Sequence, residues 1–182
     1  MKTNTIVYGL LAGLFVTVIM DIGMAKIYDT DSEGSMVLGY TTMLVAFSLI
    51  FVNIKNYRDK NGGFISFSLA FRIGLAISLI ASTIYVIGWM IEYYVFFPDF
   101  YDKCEIHQVA KLKAAGASLN QIQAKAQSYE QIKQMTKNPV AHALMTYIEI
   151  LPVGLLVSLI AAIMLKRKQS GANAALANQG VQ

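Results

Sequence analysis

The sequence predicts an all-α fold: a bundle of four membrane-spanning helices, with an extracytoplasmic amphipathic helical hairpin between spans three and four. Three observations predict it. Of the 182 residues, 55% are hydrophobic and only 14% are charged, where a soluble domain carries about a quarter charged. Mean hydropathy is +0.50. The charges also gather between long apolar runs, a distribution that excludes a soluble globular domain. The net charge of +4 is small, and nothing in it resembles a nucleic-acid footprint.

Span one is placed at residues 5–25, where Asp21 is the one charge in a stretch of the roughly 20 residues that cross a hydrocarbon core. Span two, residues 36–54, is free of charge, and span three, residues 68–97, carries only Arg72 and Glu92 near its ends. Span four, residues 139–165, opens on Asn138-Pro139, an N-cap followed by proline at the first helical position, where a missing N–H is tolerated. A second reading treats Lys2, the first apolar run and Gly23-Met24-Ala25 as a cleavable signal peptide. Asp21 inside the run and its near-full spanning length favour retention.

Orientation follows from the flanks. Lys55, Arg58, Lys60 and Arg72 gather at the second connection and Lys166-Arg167-Lys168 follow span four, whereas Asp29, Asp31 and Glu33 accompany Lys26 in the first. Cationic flanks mark the cytoplasmic side, so both termini are expected there. The connection at 99–137 is then outside. Its cluster of lysines does not oppose this, because long translocated segments obey the charge rule weakly. Tyr93, Tyr94, Phe96, Phe97, Phe100 and Tyr101 crowd the outer end of span three, as amphipathic rings do at the headgroup level.

Within the outer connection, Leu119, Ile122, Ala126, Tyr129 and Ile132 recur at helical spacing after a Ser118–Gln121 capping box, and Gly116 ends an earlier helix. These make an αα-hairpin whose Leu119, Ile122 and Tyr129 are candidate partner-binding residues; a plain extension of spans three and four into the aqueous phase, packed as a short helical pair, is the favoured alternative. Residues 1–168 form the membrane domain, and residues 169–182, QSGANAALANQGVQ, read as a disordered cytoplasmic tail. Asn61-Gly62-Gly63 in the second connection reads as a turn.

Small residues recur every four positions: Gly9, Gly13 and Thr17 in span one, Gly74, Ser78 and Ser82 in span three, Gly154, Ser158 and Ala162 in span four. Such faces let helices approach closely, and packing inside one bundle is favoured over a dimer seam. Asp21, Glu92 and Glu149 are the candidate cation or proton site, because a bare charge deep in the bilayer costs at least about 2.5 kcal/mol. All three fall toward the outer ends of their helices, and counting five turns from Gly74 projects Glu92 onto the small-residue face. Hydration near the interface, or pairing with Lys26, Lys137 or His142, is the favoured alternative. His142 is expected to be a hydrogen-bonded histidine, and Arg72 to snorkel to headgroups.

One cysteine, Cys104, and two histidines leave no disulfide and no nucleophilic constellation. Asp99, Asp102, Cys104, Glu105 and His107 are too thin a set for a metal, so no metal, cofactor or catalytic residue is expected.

The segments KNYRDKNGGFISFSLAF (55–71), FFPDF (96–100), KNP (137–139) and EILPVGLLVSLIAAIMLKRK (149–168) resemble the bacterial domain of unknown function 4199 family, found mainly in Bacteroidetes. The resemblance runs through Lys168 and implies a four-span inner-membrane protein; it carries over no site residues. The expected function is a non-enzymatic structural or accessory component. The alternative is a small oligomeric transporter or ion-conducting protein using the outer carboxylates. Expected partners are the lipid bilayer and a second copy or another membrane protein, with no nucleic acid.

Overall fold

The computed structural model of the protein describes residues 2–30 and 36–167. Six helices follow in order: α1 (Lys2–Thr30), α2 (Met36–Lys60), α3 (Phe67–Ile91), continued by a π-helical turn over Glu92–Phe96, then α4 (Phe100–Ala114), α5 (Leu119–Thr136) and α6 (Pro139–Leu165). No strand occurs among the described residues. Asp31, Glu33, Lys168 and the tail at 169–182 lie outside them, as do the side chains of Lys2, Lys26 and Asp29.

Four stretches are long and apolar enough to cross a membrane: Asn4–Ala25, Val37–Lys60, Phe67–Phe96 and Pro139–Leu165. They pack in a ring ordered α1, α3, α6, α2, with α2 and α3 also touching across the middle. Inside lie Ala12, Val16, Met43, Phe47, Ile50, Ile77, Ile150 and Ala161, all nearly inaccessible. The outer surface is the reverse of a soluble protein's, with Val37 76% and Ile148 74% exposed. Exposed apolar surface on this scale is stable only against lipid.

Small residues set how closely the spans approach. A Cβ placed on Gly9 or Gly13 of α1 would lie 2.8 Å from Ile80 or Ile84 of α3, and one on Gly74 or Gly154 would lie 2.8 Å from Ser158 or Ser78. The α1 stripe therefore faces α3, while the α3 and α6 stripes face each other. Since lipid is as apolar as a leucine side chain, this close van der Waals contact, rather than escape from solvent, holds the spans together.

The ends are closed by local chemistry. Asn138 accepts hydrogen bonds from the backbone N–H of Val140 (2.9 Å) and Ala141 (3.4 Å) ahead of Pro139. After α2 the chain reverses through Gly62 and Gly63, whose φ of 69° and 85° are left-handed values that glycine alone adopts without strain. The turn leads to Ile65, which exchanges backbone hydrogen bonds with Arg167 (3.1 and 2.9 Å) and so ties the second connection to the end of α6.

α4 and α5 form the predicted hairpin. Gly116, at φ 71°, ends the first arm, and Ser118 with Gln121 forms a complete capping box for the second. Neither arm buries much: α4 has no buried residue and α5 only Thr136.

Candidate functional site

The acidic residues and the histidine of the spans lie in three arrangements, with the small-residue stripes elsewhere along the helices.

The first is an acidic cleft between α1 and α3. Asp21 and Glu92 line it with Ala25 and Gly88. Two acidic side chains facing one cleft disfavour each other's charged form. Projection from Gly74 puts Glu92 on the small-residue face, but that face changes neighbour along α3. Gly74 meets Ser158 of α6, whereas Gly88 meets Thr17 of α1. Glu92, one turn beyond Gly88, consequently lies against α1.

Glu149 does not join that pair. It lines a separate cavity of about 420 Å³ shared by α1, α2, α3, α4 and α6, together with Met20, Met43, Tyr85, Trp89 and Phe100. Among the described residues, no hydrogen bond or ion pair holds its carboxylate. Just outside the spans, burial pushes the Tyr101 hydroxyl up from its ordinary value, and the nearby Glu149 carboxylate and Tyr93 push it further the same way. Asp21 and Glu92 therefore line one cavity and Glu149 another.

The third arrangement anchors the hairpin. His142, fully buried in the first turn of α6, is surrounded by the rings of Trp89, Tyr93, Tyr94 and Tyr101. Trp89 donates its indole Nε1–H to His142 Nε2 at 3.0 Å. Indole is a donor only, so Nε2 accepts and the ring proton sits on Nδ1, which lies 3.4 Å from the Tyr94 hydroxyl. Tyr94 donates in turn to the Thr136 carbonyl at 2.5 Å, and Tyr93 shares a 3.0 Å hydrogen bond with the Thr136 hydroxyl. Spans three and four and the last residue of α5 are thereby one hydrogen-bonded unit. Asparagine, histidine and an aromatic run are visible in the sequence; that Trp89, Tyr94 and Thr136 converge on His142 is not.

Along the hairpin, Lys133 of α5 bridges to Asp102 (3.0 Å) and Glu105 (2.8 Å) of α4 and to Glu130 of its own helix. Glu105, Glu130 and Asp102 hold its ammonium protonated well above the ordinary lysine range. Asp102 and Glu105 are thus engaged by a lysine. Of the candidate binding residues, Ile122 and Tyr129 are half-buried in the helical pair, while Leu119 is 75% exposed, and Ile106 of α4 is exposed too. Burial also pushes the Cys104 thiol up to about 11.

Four apolar spans in a ring, with a helical pair fastened to one end, define a multi-pass helical membrane protein. The chain belongs to the family described as "Protein of unknown function (DUF4199)", which it matches over residues 7–167. No curated protein matches it, and no solved structure does.

Proposed function

We propose that this is a non-enzymatic accessory component of a bacterial inner membrane, with both termini cytoplasmic, that holds the α4–α5 hairpin outside for a partner. One observation carries the reading: the hairpin leaves α3 and re-enters α6 through the hydrogen-bonded unit of Trp89, His142, Tyr94 and Thr136. A loop that only connected two spans gains nothing from so rigid a base. A binding element does, because ordering done in advance is not charged against affinity. Exposed Leu119 and Ile106 are the apolar contacts such an element offers. Affinity purification in gentle detergent from the native host tests this. A specific partner should be lost on Leu119→Ser with Ile106→Ser while the variant still inserts; retention of every partner by that variant contradicts the proposal.

A second reading rests on the Asp21–Glu92 cleft. Two acidic side chains facing one cleft suit an oligomeric transporter or ion-conducting protein, with oligomerisation supplying the path that four spans alone do not. Proteoliposomes of wild type and Glu92→Gln decide it. Flux abolished by the substitution supports the reading, and wild-type flux no greater than that of empty liposomes ends it.

A further inference from the structure

We propose that the cavity containing Glu149 binds an amphiphilic organic cation, a molecule with one positive charge on an apolar body. Its volume of about 420 Å³ is in the range that takes a small-molecule ligand. Its walls suit such an occupant: the thioethers of Met20 and Met43 adapt to irregular apolar shapes, and the rings of Tyr40, Tyr85, Trp89 and Phe100 add surfaces that attract cations. Glu149, whose residue is exposed, is the one acidic or basic residue among the described lining residues, and no described residue pairs with it.

Each competing ligand class leaves something unmet. An anion would bring its charge beside the Glu149 carboxyl, and a neutral apolar molecule would make no use of that group. An inorganic cation finds a single carboxylate in a mainly apolar wall, where hard cations need six or more oxygens. A cation with an apolar body satisfies the carboxylate and the walls together. Its source is either a free organic cation or the amine headgroup of a lipid. This assignment is independent of the hairpin reading and of the Asp21–Glu92 cleft.

Trp89 is the only tryptophan in the chain and lines the cavity, so its emission reports occupancy directly. The full-length protein in detergent is titrated with tetraphenylphosphonium and, separately, with tetraphenylborate, which has the same shape and the opposite charge. The expected result is a saturable change with the cation, at one site per chain, and none with the anion. Glu149→Gln should weaken binding at least tenfold, and Asp59→Asn at the other end of the bundle should leave it unchanged. No saturable change, an equal response to tetraphenylborate, or unchanged affinity in a folded Glu149→Gln variant overturns the proposal. If that variant does not fold, the opposite-charge comparison on the wild type decides alone. Displacement by a short-chain phosphatidylethanolamine but not by the matching phosphatidylglycerol assigns the site to a lipid amine, and displacement by neither assigns it to a free cation. Displacement by both means that acyl chains fill the cavity without regard to charge, which also overturns it.

Discussion

Ser78 of α3 and Ser158 of α6 meet hydroxyl to hydroxyl at 3.0 Å, and each stands against the other helix's glycine, Ser78 against Gly154 and Ser158 against Gly74. The serines also lie 3.0 and 2.7 Å from the carbonyls of Gly74 and Gly154, so two hydroxyl protons serve three contacts. The glycines, not the hydroxyls, then carry the crossing. Gly154→Ala drives a Cβ to 2.8 Å from Ser78 Cβ, which cannot swing away. It is expected to destabilise the bundle by about 1–3 kcal/mol, as overpacking does. Ser78→Ala is expected to cost under about 1 kcal/mol, in line with measured interhelical hydrogen bonds in membranes. Unfolding both variants by SDS titration compares them.

Removing the acceptor at the hairpin's base is expected to be costly. His142→Phe keeps a ring in the aromatic cluster but leaves the Trp89 indole N–H unpaired, a loss of about 1–3 kcal/mol. A double-mutant cycle with Trp89→Phe should return a coupling of about 0.5–1.5 kcal/mol; additive effects would mean that the 3.0 Å contact contributes nothing.

The hairpin's own closure depends on Lys133. Lys133→Met leaves Asp102, Glu105 and Glu130 facing one another without a cation. Limited proteolysis should then cut within residues 100–136 faster than in wild type, with the four spans still protected. High salt should reproduce part of the effect on wild type, because exposed ion pairs are screened.

Cys104 provides a pH test. Burial raises its thiol from 9.0 to about 11. The thiolate is the reactive form, so at pH 8 alkylation should be about a hundredfold slower in the folded protein than after denaturation. The half-buried neutral thiol favours the folded hairpin fully below pH 9, and that contribution fades as pH rises toward about 11. Equal rates before and after denaturation would show that α4 does not shield the thiol.

The elements were legible because each carries a local signal. Composition and length mark the four spans, Asn138-Pro139 marks the start of α6, and Gly116, Ser118 and Gln121 mark both inner ends of the hairpin. The separation of the acids was not legible. Their shared level follows from counting residues, but which neighbour each meets depends on how α3 crosses α6 near Gly74 and α1 near Gly88. Lys133 was equally silent, since its three carboxylates are drawn from two helices that only the folded pair brings together. Ile122 and Tyr129 have the spacing of a binding stripe, yet helical spacing cannot say whether a stripe meets a partner or the other arm of its own hairpin.

The proposed function places the hairpin on the outer face of the membrane, opposite the turn at Asn61. In a Cys104→Ala background, Gln123→Cys on α5 and Asn61→Cys in the turn are each labelled with a membrane-impermeant maleimide in intact spheroplasts and again after lysis. Gln123→Cys is expected to label before lysis and Asn61→Cys only after it. Labelling of Asn61→Cys in intact spheroplasts, with Gln123→Cys protected until lysis, would contradict it.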